Sequence, residues 1–143
     1  MSERSDQAGR PGDSHAGGGR EPRQTAPIER VWRAWASRPD ADAYESLVTQ
    51  DVLPAMSRFS GYRGATLLKR DANDEQVEFL VITRWESLDS IREFAGDRFD
   101  AATIPRAATE LLARYEDRAL HYERVASVIV DDGPPWRDED RLR

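Results

Sequence analysis

Apolar and polar residues alternate along residues 77–85. Val77, Phe79, Val81, Thr83 and Trp85 fall on one face, and Glu78, Leu80, Ile82 and Arg84 on the other. This period-two spacing, rich in β-branched and aromatic side chains, predicts a strand. After Trp85 the spacing changes. Leu88, Ile91, Phe94 and Ala95 recur at the interval of one helical face. Ser87 is placed to cap that helix, Asp89 stands in its first turn where the helix dipole favours negative charge, and Gly96 is placed to end it.

The rest of the chain is read the same way. Residues 28–36 predict a first strand, with Ile28, Trp32, Ala34 and Ala36 on one face and Val31, Arg33 and Trp35 on the other. A helix is expected over 41–57, capped by Asp40, along the stripe Tyr44, Leu47, Val48, Val52, Ala55 and Met56. Pro54 should kink it or start a new short turn at Leu53, because its ring clashes with the carbonyl of Gln50. A second strand covers 65–70, and the polar run 71–75 connects it to the strand at 77–85. After a loop at 97–103, a short helix capped by Thr103 should use Ile104, Ala108, Leu111, Leu112 and Tyr115. The last strand is expected over 118–126, with 127–130 as a continuation.

The order β-α-β-β-α-β, with its second helix broken in two, predicts an α+β, ferredoxin-like fold. All helices should lie on one face of a four-stranded antiparallel sheet. One helical layer leaves the other face bare, yet Leu80 and Ile82 point to that side. A second copy of the chain related by a two-fold axis would cover it, so a homodimer is expected. Residues 1–27 and 131–143 lack apolar periodicity and are rich in Gly, Pro and charge, so both are expected to be disordered tails around a domain at 28–130.

Composition removes several function classes. The net charge is −6, which argues against a general nucleic-acid binder. Lys69 is the only lysine, so the basic residues are almost all arginine. The chain has no cysteine, which excludes disulfides, thiolate nucleophiles and Cys-ligated metals. No apolar run reaches membrane-spanning length and no hydrophobic leader opens the chain, so a cytoplasmic protein is expected. No GxGxxG or P-loop spacing is present, and the histidines lack partners at metal-ligand spacing, so neither a cofactor nor a metal is expected.

The run TRWESLDSIREFAGD at 83–97, with ALHYERV at 119–125, resembles the small antibiotic biosynthesis monooxygenase domains of the dimeric α/β-barrel superfamily. RVWRAW (30–35), AYESLV (43–48) and GYRGATLLKR (61–70) extend the resemblance over about 100 residues, the size of one domain. It implies a dimeric α/β barrel whose cavity holds the site. It also implies oxidation of a planar phenol by molecular oxygen without metal or flavin, the substrate itself supplying the electrons. The protein then contributes enclosure, hydrogen-bond donors and help with deprotonation. The family's quinone-forming oxygenases are associated with a polar set of Asn, Trp, Tyr and Arg, and its haem-degrading members with Asn, Trp and a helix-borne His. The one asparagine here, Asn73, falls in the hairpin connection, and His121 falls on a strand.

Within that frame His121 is the candidate catalytic base, being the one histidine outside the expected tails; a packed strand histidine is the commoner alternative. Trp85 and Trp32 are candidate substrate-binding aromatics, Trp85 competing with an ordinary core role. Arg84 and Arg118, with Tyr122, are candidate partners for an anionic oxygen, and Arg33 and Tyr62 are of the same kind. Strand arginines more often pair with acids across strands, here Glu78 or Glu123. Two functions remain open: a cofactor-independent monooxygenase acting on a small aromatic molecule, or a non-catalytic dimeric barrel that binds a ligand or serves in assembly or stress.

Overall fold

The computed structural model describes residues 26–130. The expected tails lie outside them, apart from Ala26 and Pro27. Those two belong to the domain: Ala26 is buried and the Pro27 carbonyl accepts a hydrogen bond from the Arg124 amide at 2.9 Å. Among the described residues no helix is long and apolar enough to cross a membrane.

Strand β1 (Ile28–Ser37) pairs antiparallel with β3 (Gln76–Trp85) along its whole length, Ile28 opposite Trp85 and Ser37 opposite Gln76. β2 (Tyr62–Asp71) lies on the far side of β3, with a register shift between Tyr62 and Gly64. The hairpin between β2 and β3 is set by Asn73, whose side-chain oxygen accepts from the Glu75 and Gln76 amides at 2.8 and 2.9 Å.

The other edge of β1 departs from expectation. Two short strands share it: β4 (Arg114–Tyr115) against Ala34 and Trp35, and β5 (Leu120–Glu123) against residues 28–31. The last strand is therefore shorter than 118–126, and Arg118 forms only an isolated bridge to Ala101. The helix expected up to Tyr115 shrinks to α3 (Arg106–Thr109), begun at Pro105 rather than capped by Thr103. The unpaired carbonyls of β1 are the physical reason. Trp35 accepts from the Ala113 amide at 2.7 Å and Arg33 from the Glu116 amide at 3.0 Å, which pulls this segment out of the helix and onto the sheet edge. The result is an antiparallel sheet ordered β2-β3-β1 and then β4 with β5, its helices on one face.

Helix α1 (Arg38–Leu47) begins three residues before the expected start, directly after Ser37, with Pro39 in its first turn where a missing N–H costs nothing. It runs into a wider π-helical turn, Val48–Val52, in which the Leu53 amide reaches back to Val48. A last turn, Leu53–Ala55, starts where Pro54 was expected to force a new one. The widened turn adjusts the backbone just ahead of the proline. Helix α2 (Leu88–Ala95) is capped as the sequence predicts. Ser87 and Ser90 form a reciprocal capping box, and Gly96 ends the helix at φ +81°. Gly61 lets the start of β2 approach α2, since a Cβ there would sit 2.0 Å from the Ser90 side chain.

The covered face of the sheet carries two packed clusters. Phe79, Tyr44, Ala36, Val48 and Ala108 form one, with the Phe79 and Tyr44 rings edge to face at 4.8 Å. Trp85, Ile28, Leu88, Ile91 and Phe99 form the other. Among the described residues no helix lies over the opposite face. There Leu68, Leu120 and Tyr122 are about half exposed, at 49%, 50% and 55%. Arginines on this face pair with acids across strands: Arg33 with the expected Glu78 at 3.8 Å, and Arg84 with Glu29, rather than Glu78 or Glu123, at 3.6 Å.

Candidate functional site

The two clusters leave a gap between them. On the inward face of β1 the ends, Ile28 and then Ala34 and Ala36, are packed, and Arg30 and Trp32 lie between. On β3 the packed positions are Trp85 and Phe79, with Thr83 and Val81 between. Register sets Arg30 opposite Thr83 and Trp32 opposite Val81, so these four residues form one floor. The widened turn of α1, Phe94 of α2 and residues 103–108 roof it, enclosing a cavity of about 520 Å³. Its lining includes the exposed residues Asp51, Arg58, Thr103 and Pro105, which mark its rim. A concave, largely apolar space of this size with a few converging polar groups is the usual form of a small-molecule site.

Three polar groups reach it. Arg30, 5% exposed, donates through Nη1 to the Phe99 carbonyl and through Nη2 to the Ala101 carbonyl at 3.0 Å. Its Nη1 also stands 2.8 Å from Nε2 of His121. A guanidinium only donates, so His121 Nε2 is the acceptor and its ring is neutral, carrying its proton on Nδ1. Burial pushes the Arg30 pKa down to about 10, Asp100 opposing the shift. Burial, and then the Arg30 charge, push His121 down to about 4, with Asp100 again opposing. Tyr44 is the second group, its phenol raised to about 12 by burial. Thr83 is the third; its oxygen accepts from Trp85 Nε1 at 2.8 Å, which leaves its own hydroxyl hydrogen for a ligand.

The residues singled out in the sequence are distributed unevenly around this cavity. Trp32 lines it, fixed by a bond from Nε1 to the Glu116 carbonyl at 2.7 Å. His121 stands behind the wall, holding Arg30, with its ring edge-on to Phe99 at 5.3 Å. Trp85 is fully buried beneath it, stacked on Phe94 at 5.4 Å, and touches the cavity only through Thr83 and Phe94. Arg84 and Tyr122 lie on the open face of the sheet, because they share the parity of Ile82 and Leu120. Arg118 is outside β5 and pairs with Asp100 at 3.5 Å. The last strand therefore does not bring His121, Tyr122 and Arg118 together: alternation turns Tyr122 to the opposite face, and the shorter strand leaves Arg118 out. Arg30 was overlooked. Its signal was present, since it shares the inward parity of Ile28, Trp32, Ala34 and Ala36. Among the described residues no group of three or more His, Asp or Glu side chains is placed to hold a metal ion.

A solved structure matches this arrangement of sheet and helices. A Bacillus cereus protein described as a candidate antibiotic biosynthesis monooxygenase superposes with a TM-score of 0.53 at 12% identity, over 73% of this chain and 99% of that one. This chain has the fold of an antibiotic biosynthesis monooxygenase domain. Two further structures match less closely. SnoaB, a cofactor-independent oxygenase from Streptomyces nogalater, gives a TM-score of 0.45 at 19% identity, covering 73% of this chain and 97% of its own. The ActVA-Orf6 monooxygenase of Streptomyces coelicolor, in complex with Nanaomycin D, gives 0.45 at 14% identity, covering 75% and 94%. No family model and no curated protein matches the sequence.

Proposed function

We propose that this chain is a cofactor-independent monooxygenase of the antibiotic-biosynthesis type, acting on a small phenolic molecule inside its own sheet–helix cavity. The observation that carries the reading is the cavity itself, about 520 Å³, apolar within apart from Arg30, Tyr44 and Thr83, with Asp51, Arg58 and Thr103 at its rim, in a chain of this fold. In the reaction one oxygen atom of O2 enters an activated ring carbon. That carbon gives up its one hydrogen and the phenol oxygen gives up another, and the second oxygen atom leaves with them as water, leaving a quinone. The phenol supplies the electrons once it is deprotonated. The site contributes enclosure and a cation near the developing anion. His121 acts through Arg30, by fixing the guanidinium, and is a positioning residue.

Oxygen uptake by metal-free protein with a panel of hydroquinones and anthrones tests this. Wild type should consume oxygen above the buffer rate, and His121→Ala should slow it by up to about 100-fold, the scale of a misplaced catalytic group. Equal rates in wild type and variant would remove His121 from the mechanism. One observation favours the non-catalytic, ligand-binding reading: with its pKa at about 4, His121 is a weak base towards a phenol. No uptake by wild type on any member of the panel selects that reading.

The working unit in this proposal is a cytoplasmic homodimer built from the domain expected at 28–130, with Ala26 and Pro27 added to it. Leu68, Leu120 and Tyr122 are half exposed on the uncovered sheet face, and Val125, Val128 and Ile129 beyond β5 are exposed as well. A soluble monomer rarely leaves such a surface bare. Light scattering at micromolar concentration should give twice the chain mass, and Ile82→Glu, which sets a charge in the middle of that face, should give the single-chain mass. A monomeric wild type removes the dimer from the proposal.

A further inference from the structure

Arg30 is a buried cation without a buried anion. Among the described residues no carboxylate makes an ion pair with it; its partners are two backbone carbonyls, the neutral His121 ring and the face of Phe94, 5.6 Å from the guanidinium carbon. Asp100, whose charge reaches it through space, directs its carboxylate to Arg118 at 3.5 Å. A guanidinium held only by neutral groups, carbonyls, an imidazole and one ring face, recovers only part of the cost of leaving water. A purely structural clamp between β1, β5 and the 99–101 segment would account for the bonds it makes. It would not account for the rest of the group. Nε–H and one Nη2 hydrogen make no hydrogen bond among the described residues, and Arg30 lines the cavity. An open pair of N–H donors on a planar cation is the complement of an anionic oxygen group, which it binds more strongly than any neutral acceptor.

We propose that the cavity binds its aromatic ligand as an anion, a carboxylate or aryl oxide, seated on the open edge of Arg30. This deepens the small-molecule reading of the same cavity by naming the class of ligand. Trp32, Val81 and Phe94 border the remaining space and suit the ring. Tyr44 and Thr83 offer further donors to oxygens elsewhere on the ligand. His121 and the two carbonyls hold the guanidinium at the wall, so the ligand meets a donor pair that is already oriented.

Calorimetric titration of the full chain with 2-naphthoate and with its methyl ester separates charge from shape. Wild type should bind the carboxylate about 10- to 100-fold more tightly than the ester, the range of one charge-assisted hydrogen-bonded pair. Arg30→Met should abolish that preference, and Arg30→Lys should keep part of it. An ester bound as tightly as the carboxylate by wild type overturns the proposal, as does binding of neither, or an Arg30→Met variant that still prefers the carboxylate. The wild-type comparison decides the matter even where Arg30→Met fails to fold. Oxygen uptake plays no part in the measurement. A binding protein without oxygenase activity still shows the preference, and an active oxygenase indifferent to charge loses this inference alone.

Discussion

Replacing Trp85 with alanine should destabilise the domain by about 3–5 kcal/mol, the range for deleting a large buried aromatic. Trp85 is fully buried. Its ring stacks on Phe94 at 5.4 Å and lies edge-on to Tyr62 at 5.5 Å, with Phe59 at 6.3 Å. It therefore joins α2, the start of β2 and the segment at Phe59 that leads into β2 to the sheet. The truncation would leave a void where these elements meet and strip Thr83 of its donor. Set against a whole-domain stability of about 5–15 kcal/mol, this is a large fraction. The melting temperature should fall by more than about 10 °C for a domain of this size. Trp85→Phe, which keeps a ring but loses the Nε1 bond, should cost about 1–3 kcal/mol. Urea denaturation of both variants checks the pair. A loss below about 1 kcal/mol for the alanine variant would show that the ring is not a wedge in the core.

The same residue shows how far sequence pattern reaches. Period-two alternation placed Trp85 and Phe79 on one face and Ile82 and Leu80 on the other, and the register of β1 on β3 follows from burying the first set. The cap of α2 was equally legible, because Ser87 and Gly96 act within a single turn of chain. Alternation gives the side of the sheet but not the depth above it. Trp32 and Trp85 share a face and read alike, yet one borders the cavity and the other lies under it, a difference made by helices distant in sequence. Arg30 was missed for a related reason. A charge in an apolar face reads as noise until the cavity above it is seen. The edge of β1 was illegible because local propensity favoured helix through Tyr115, whereas long-range pairing took that segment into β4. Of the site, the chain's pattern marked Trp32 and pointed to His121, and long-range packing supplied the rest.

The histidine behind Arg30 should make the fold sensitive to acid. In the folded chain His121 is held neutral, its pKa lowered from 6.5 to about 4 by burial first and by the Arg30 charge second, against the opposing pull of Asp100. Unfolded, it takes up a proton near its ordinary value. Below that value the unfolded state binds more protons than the folded one, so stability is present in full above pH 6.5 and drains away as pH falls towards 4. Discounted for the partial exposure of the ring, the loss should be about 1–3 kcal/mol. His121→Gln isolates this contribution. Glutamine does not titrate, and its side-chain oxygen can take over the hydrogen bond from Arg30. Every carboxylate is common to both proteins. Their stability curves should run together above pH 7 and separate below it, wild type falling faster. Parallel curves down to pH 4 would mean that the imidazole is free to charge beside Arg30, and that His121 does not hold the guanidinium as an acceptor. The positioning role assigned to it would then have no physical basis.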